Sequence, residues 1–272
     1  MSGSAAVAHG VGAERSRAEA QRYGTIVIVG GGCYGSYYLR QLRRAAGAGA
    51  LTAEQVLVVD RDAECSVATA EAQRSDGAAS DLAVAVVAAE WGDFFDRFLS
   101  ERAAAGCTGR DAIVPSPLMP HLMYQWLARR AQRRWPERRI ETRPLHRAPS
   151  VPWERRGEGE ERTHYVSFAE WMCPINCIEP AVCPVIRGPR TWSLPPAVRA
   201  YVDAERARGR ELAGPVLFHC RHRAYGVGMF DVADVLAADA LVASAGEGGA
   251  VELLVGTVSH CHGALNVLAI GD

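Results

Sequence analysis

The stretch TIVIVGGGCYGSYYLRQL, from Thr25 to Leu42, constrains the fold more than any other part of the chain. Ile26 to Val29 form a continuous apolar run, the pattern of a parallel strand buried on both faces. Glycines follow at once, and then a helical pattern from Ser36 to Ala46. Gly30, Gly32 and Gly35 match G-x-G-x-x-G, with Gly31 as an extra glycine and Cys33 and Tyr34 filling the remaining places. In such a loop the first glycine permits the tight turn. The second lets the backbone approach a pyrophosphate, and the third lets helix and strand pack closely. The phosphates meet the unpaired N–H groups at the helix N-terminus.

The next apolar strand, Val56 to Val59, ends in Asp60, 25 residues after Gly35. A carboxylate there can accept both ribose hydroxyl hydrogens. Asp60 favours NAD over NADP because it would repel a 2′-phosphate, and Arg61 beside it softens that preference. A third apolar run spans Leu82 to Ala88. A helix with Trp91, Phe94, Phe95 and Phe98 on its core side follows, then a short strand from Ala112 to Val114 and another helix. Strands alternating with helices predict an α/β fold, a Rossmann-like doubly wound parallel sheet. The expected organisation is a flexible tail over residues 1–22, a dinucleotide-binding domain over 23–145, and a Cys/His-rich α/β extension over 146–272 packed on the same sheet.

Composition excludes several classes. The net charge is −1, which gives no electrostatic case for nucleic acid or an anionic membrane. All 30 basic residues are Arg, so neither Schiff-base chemistry nor a P-loop lysine is available. Eleven Arg and six Glu interleave between Arg129 and Arg162, the pattern of a solvated face. No apolar run approaches the roughly 18 residues of a membrane span. The N-terminus lacks an apolar signal region, so the expectation is a cytoplasmic protein with reduced cysteines.

In a reducing compartment a local cysteine cluster points to metal or catalysis. Cys173, Cys177 and Cys183 form C-x3-C-x5-C, with a proline directly after the first and the last. Two more groups lie downstream, each near the end of an apolar strand: His219, Cys220 and His222, then His260, Cys261 and His262. Five of the eight cysteines and four of the eight histidines fall in these three segments. Carboxyl ends of parallel strands share one edge, where ligand sites form, so the three groups can converge. Thiolates suit soft or borderline metals, and imidazole suits zinc and iron. The predicted ligands are Cys173, Cys177 and Cys183, with the fourth from Cys220, Cys261, a histidine or substrate. The metal is an iron–sulfur cluster or zinc. The local run with a proline after its last cysteine is cluster-like, although the gaps match no standard ferredoxin spacing. The competing reading is three buried cysteines packed as small hydrophobes.

His260 and His262 share a face if the chain is extended there. They and His222 are the candidate general acids and bases. Cys33, beside the phosphates at a helix N-terminus, is a spacer or a redox-sensitive thiol. Cys65 and Cys107 are expected to be inert. His121 stands near where a nicotinamide would lie.

The segment IVIVGGGCYGSYYLRQL with VLVVDRD resembles the N-terminal NAD-binding unit of TrkA-type potassium-uptake regulators and related Rossmann proteins. The resemblance covers about one seventh of the chain and implies dinucleotide contacts at Gly30, Gly32, Gly35 and Asp60. GS after the loop and VVDRD are also similar to the ATP-binding unit of ubiquitin-activating-type adenylating enzymes, whose paired C-x-x-C zinc motifs this sequence lacks. The closing LNVLAIGD is similar to the FAD-binding Gly-Asp segment of two-dinucleotide flavoproteins. The residues together predict an NAD(P)-dependent oxidoreductase with a Cys-ligated metal centre beside the dinucleotide. The alternative is a non-catalytic module sensing NAD and metal. The expected partners are a small-molecule substrate or a redox partner protein, with a homodimer left open.

Overall fold

The computed structural model describes residues 20–74, 82–106, 110–157, 162–169, 173–175 and 177–272. Most of the predicted N-terminal tail, and Cys107, lie outside them. The fold is mixed α/β, with parallel strand pairs in two sheets and six helices among the described residues.

The first half alternates as its sequence pattern requires. In order come β1 (Gln21–Val29), α1 (Cys33–Gly47), β2 (Leu51–Asp60), α2 (Ser66–Ala72), β3 (Val84–Ala88), α3 (Trp91–Ala104), β4 (Ala112–Val114) and α4 (Leu122–Arg134). Then follow β5 (Ile140–Arg143), β6 (Trp153–Arg156), β7 (His164–Ser167), β8 (Val182–Cys183), β9 (Gly188–Pro189), α5 (Leu194–Ala207) and β10 (Leu212–His219). The chain ends with β11 (Arg221–Ala224), β12 (Val227–Asp231), α6 (Val232–Glu247), β13 (Val251–Val258) and β14 (His262–Ile270).

The first sheet runs β11-β12-β4-β1-β2-β3. Its β4, β1, β2 and β3 are mutually parallel, and β12 and β11 add antiparallel at the β4 edge. The second sheet runs β10-β13-β14-β7-β6, with β5 pairing the far end of β14. Only β10 and β13 are parallel there. Residues 146–272 therefore do not all join the first sheet, contrary to the expectation that they pack on it. Only β11 and β12 do. The last element is a nine-residue central strand. Its near-continuous burial gives no alternation from which an antiparallel partner can be read.

Strand alternation sorts the core into layers. Val27, Val29 and Val59 face α3, α4 and α6, while Ile26, Ile28, Val56 and Val58 face α1 and α2. From the second sheet, Val216, Phe218, Leu253, Val255, Leu268 and Ile270 meet the same three helices from the other side. Leu254, Val258, Leu265 and Val267 pack under α5. Helices α3, α4 and α6 thus fill the space between two sheets. In α3 the aromatics recur at helical spacing, and Phe94 stacks on Phe98 at 5.4 Å.

Part of the basic run expected to be a solvated face ties these layers together. Arg133 holds Asp96 on α3, and Arg130 and Arg134 hold Asp239 on α6. Asp231 occupies the N-cap position of α6 but caps nothing with its side chain. Its carboxylate is held by both guanidinium nitrogens of Arg223 instead. No helix among the described residues is long and apolar enough to cross a membrane.

Candidate functional site

The glycine loop joins β1 to α1 at the carboxyl end of the parallel strands. Gly30 adopts φ +87, the left-handed region that glycine enters without penalty. A Cβ on Gly35 would lie 1.9 Å from the Gly30 carbonyl oxygen, whereas a Cβ on Gly32 would meet nothing within 4 Å. Gly35 is needed for packing, as is Gly31, whose Cβ would lie 2.2 Å from the Cys65 sulfur; Gly32 leaves the backbone open. Helix α1 starts without a side-chain cap and without an acidic residue in its first turn. Its first N–H groups, from Cys33 onward, and its positive dipole end are available to an anion. Cys33 itself is exposed.

Asp60 braces this loop. Its Oδ2 accepts the Gly31 N–H at 2.6 Å, and its Oδ1 accepts the Asp62 N–H at 2.9 Å. Arg61 lies over the Trp91 ring, 4.6 Å from its centroid. Cys65 is buried against Gly31, where it packs under the loop.

A cavity of about 150 Å³ opens beside the first turns of α1. Tyr34 and Tyr38 line it from α1, and Pro115, Ser116, Pro117 and Pro120 from the segment after β4. Its remaining wall comes from far along the chain: Cys173, Cys177, Glu179, Cys220, His222, Cys261 and His262. His121 is not part of the wall. The β13–β14 turn gathers these groups. Val258 O accepts the Cys220 N–H, Cys261 O the Phe168 N–H, and His260 O the Leu194 N–H. Three segments, at the ends of β10 and β7 and the start of α5, are thereby pinned around one hairpin tip.

That tip overturns one expectation. Ser259 to Cys261 form a turn, not an extended strand, so His260 and His262 diverge. His262 enters the thiol cavity. His260 lies 3.3 Å from the Ser193 hydroxyl and lines a separate outer pocket with His219, Arg190 and Arg221. Burial lowers the His262 pKa; Glu179 opposes this, and the charges of His222 and Arg190 add to the lowering.

Cys183 differs from the other cluster cysteines. It sits on β8, fully buried, and does not line the cavity. Burial would raise its pKa, but the Ile186 and Val185 N–H groups and Arg190 act on the sulfur and lower it. The Cys173 thiol is pushed up to about 12 by burial and by the neighbouring sulfurs of Cys177, Cys261 and Cys183. Burial also raises Cys261, against the Trp192 indole and Arg190. Cys220 is pushed up to about 12 by burial and by Glu179, against Arg223. Arg190 Nε and Nη2 and Trp192 Nε1 are buried without a partner of regular hydrogen-bond geometry. No three His, Cys, Asp or Glu side chains among the described residues already stand as a ligand set around a single ion.

Sequence reasoning missed Glu179. It lies at φ +54, strained for a residue with a side chain and unusual before a proline. Its carboxylate lies 3.4 Å from His222 Nδ1 and accepts the His260 N–H at 3.0 Å. Burial opposes ionisation, but His222, the Ser259 hydroxyl and the His260 N–H outweigh it and hold the pKa at about 2. An acid between two clustered cysteines was the available signal.

Residues 123–271, just over half of the chain, match the family model AF_1314_C, described as "Uncharacterized protein, C-terminal domain". The chain belongs to the AF_1314_C family. The AF_1314_C region contains all three Cys/His groups and the whole second sheet, and it begins after the glycine loop. No curated protein and no solved structure matches the chain.

Proposed function

We propose that this chain is a dinucleotide-dependent oxidoreductase with a Rossmann-type nucleotide unit in its first half and a thiol-bound metal centre in its AF_1314_C half. One observation carries the reading. A single cavity is walled on one side by the helix that follows the glycine loop and on the other by Cys173, Cys177, Cys220 and Cys261.

The strand order β4-β1-β2-β3 supports the nucleotide half, as it places the glycine loop centrally at the carboxyl edge. The open backbone at Gly32 and the uncapped start of α1 suit a pyrophosphate. Asp60 keeps a lone pair on each oxygen for ribose hydroxyls. Arg61 on Trp91 offers a flat face next to it for the adenine. From there a dinucleotide reaches the Pro115–Pro120 segment and the cavity. As in the TrkA-type resemblance, the assigned contacts are Gly30, Gly32, Gly35 and Asp60.

The orphaned donors of Arg190 and Trp192 beside the sulfurs suit a group that leaves thiolates negative. When bound, a metal there supplies either Lewis-acid polarisation or one-electron storage. The protein's own contribution is a half-buried imidazole at His262 on the cavity wall, which can hold a proton, and a carboxylate-oriented imidazole at His222. A module that only senses nucleotide and metal would need no cavity between them, and the cavity favours the enzyme.

Titration of the anaerobically purified protein with NADH and NADPH, followed by calorimetry, tests the reading. Saturable binding at one site per chain is expected, tighter for NADH. Binding of neither nucleotide would overturn it.

A further inference from the structure

The outer pocket that His260 lines has a volume of about 430 Å³ and sits at the carboxyl ends of the parallel strands β10 and β13. Its wall is unlike that of the thiol cavity. No cysteine among the described residues lines it. Arg190, Arg221, His219, His222 and His260 do, against a single acid, Glu179. Glu179 and His222 belong to both walls, so the two pockets meet at this pair.

The acid is already engaged. It lies 3.4 Å from His222 Nδ1 and accepts the His260 N–H at 3.0 Å. The arginines are not. Arg221 Nε donates to His219 Nδ1 at 3.3 Å, but its two terminal nitrogens meet no acceptor among the described residues. Arg190, half-buried, pairs with no carboxylate among them either. Two residues further along β11 the contrast is plain, because Arg223 is held by both oxygens of Asp231.

We propose that the outer pocket is an oxyanion site, in which Arg221 and Arg190 hold the carboxylate or phosphate group of the substrate. The substrate is then a small organic anion. The site stands on its own geometry; calling its occupant the substrate rests on the reading of the thiol cavity as a reaction site. A guanidinium fork matches the paired oxygens of a carboxylate or phosphate, and imidazole N–H groups at His219 and His260 add donors beside it. A concave wall with more positive than negative groups raises the local concentration of anions. The volume lies within the range of small-molecule sites, about 300–1,000 Å³. An anion anchored here has the Glu179–His222 pair next to it, and through that pair the thiol cavity. A cationic ligand would find two guanidiniums and no free acid.

Calorimetric titration of the full chain with succinate and with inorganic phosphate, at fixed pH and ionic strength, with and without NADH, tests the site. One saturable site per chain is expected for at least one of the two anions, and it persists in the presence of NADH. Arg221→Gln and Arg190→Gln each weaken binding by about tenfold or more, the scale of a lost hydrogen bond between charged groups. Arg187→Gln removes an exposed arginine of the β8–β9 hairpin that lies outside the pocket, and it binds like wild type. Urea unfolding of each variant separates a lost site from a lost fold. Tighter succinate marks a carboxylic acid as the occupant, and tighter phosphate marks a phosphorylated compound. Saturable binding of neither anion, or binding that Arg221→Gln leaves unchanged, overturns the site. So does anion binding that NADH abolishes and both pocket variants leave intact, which assigns the anion to the glycine loop. Anion binding without NADH binding sinks the dinucleotide reading and leaves this site standing; NADH binding without anion binding does the reverse.

Discussion

The Glu179 carboxylate lies 3.4 Å from His222 Nδ1 and lines both the thiol cavity and the outer pocket. It also accepts the His260 N–H, so it ties the cysteine loop to β11 and to the β13–β14 turn. Glu179→Gln keeps the shape and removes the charge. It should cost about 1–3 kcal/mol in urea unfolding, the usual range when a buried polar partner is lost. In a double-mutant cycle with His222→Asn the coupling should be about 0.5–3 kcal/mol. Strict additivity would show that the two residues are neighbours without an energetic link.

Two glycines of one loop should fail in different ways. Gly35→Ala forces a Cβ to 1.9 Å from a backbone oxygen, which neither side can yield cheaply. A loss of about 1–3 kcal/mol or more is expected. Gly32→Ala meets nothing within 4 Å, so stability should change by less than about 0.5 kcal/mol. The same methyl stands where a pyrophosphate would approach, and NADH affinity should fall at least about tenfold, or 1.4 kcal/mol. Gly32→Ala that unfolds the protein, or that binds NADH like wild type, contradicts this division of labour.

The contrast between β1 and β14 shows how much was legible. Gly30 to Gly35 could be placed because strand, turn and helix follow one another in sequence, and each residue type has a local reason. The β4 span was read residue for residue. The apolar run of β14 carries no such punctuation. Its partners lie across the chain, in β13, β7 and β5, and nothing local names them. The convergence of Cys173, Cys177, Cys220 and Cys261 was anticipated from strand ends. The divergence of His260 from His262 was not, because the turn from Ser259 to Cys261 replaced the extended segment assumed there. Arg190 and Glu179 escaped notice for the same reason: their importance comes from what folds around them.

Asp60 offers a test of nucleotide choice. Its carboxylate bonds the loop backbone through the Gly31 N–H. Asp60→Ala removes both a ribose acceptor and a charge that repels a 2′-phosphate, leaving Arg61 beside the site. NADH binding should weaken by at least about tenfold, while NADPH binding weakens less or improves. Fluorescence titration with both nucleotides measures the ratio. An unchanged ratio would mean that Asp60 only braces the loop.

Arg138 provides the control at the opposite end of the fold. Its guanidinium donates to the carbonyls of Gly246, Gly249 and Gly271, each at 2.6 Å. It thereby holds the C-terminal end of α6 and the chain just past β14, whose other end, at His262, lies on the thiol cavity. Cations at a helix C-terminus are favourable, and a planar fork matches three carbonyls as an ammonium cannot. Arg138→Ala should lose about 2 kcal/mol of stability, on the scale of hydrogen bonds to a charged group. Arg138→Lys should recover less than half of that. Neither should alter metal content or NADH affinity, because the three carbonyls this guanidinium holds lie outside the cavity wall. A variant that keeps full stability yet loses metal would instead place Arg138 in communication with the cavity along β14.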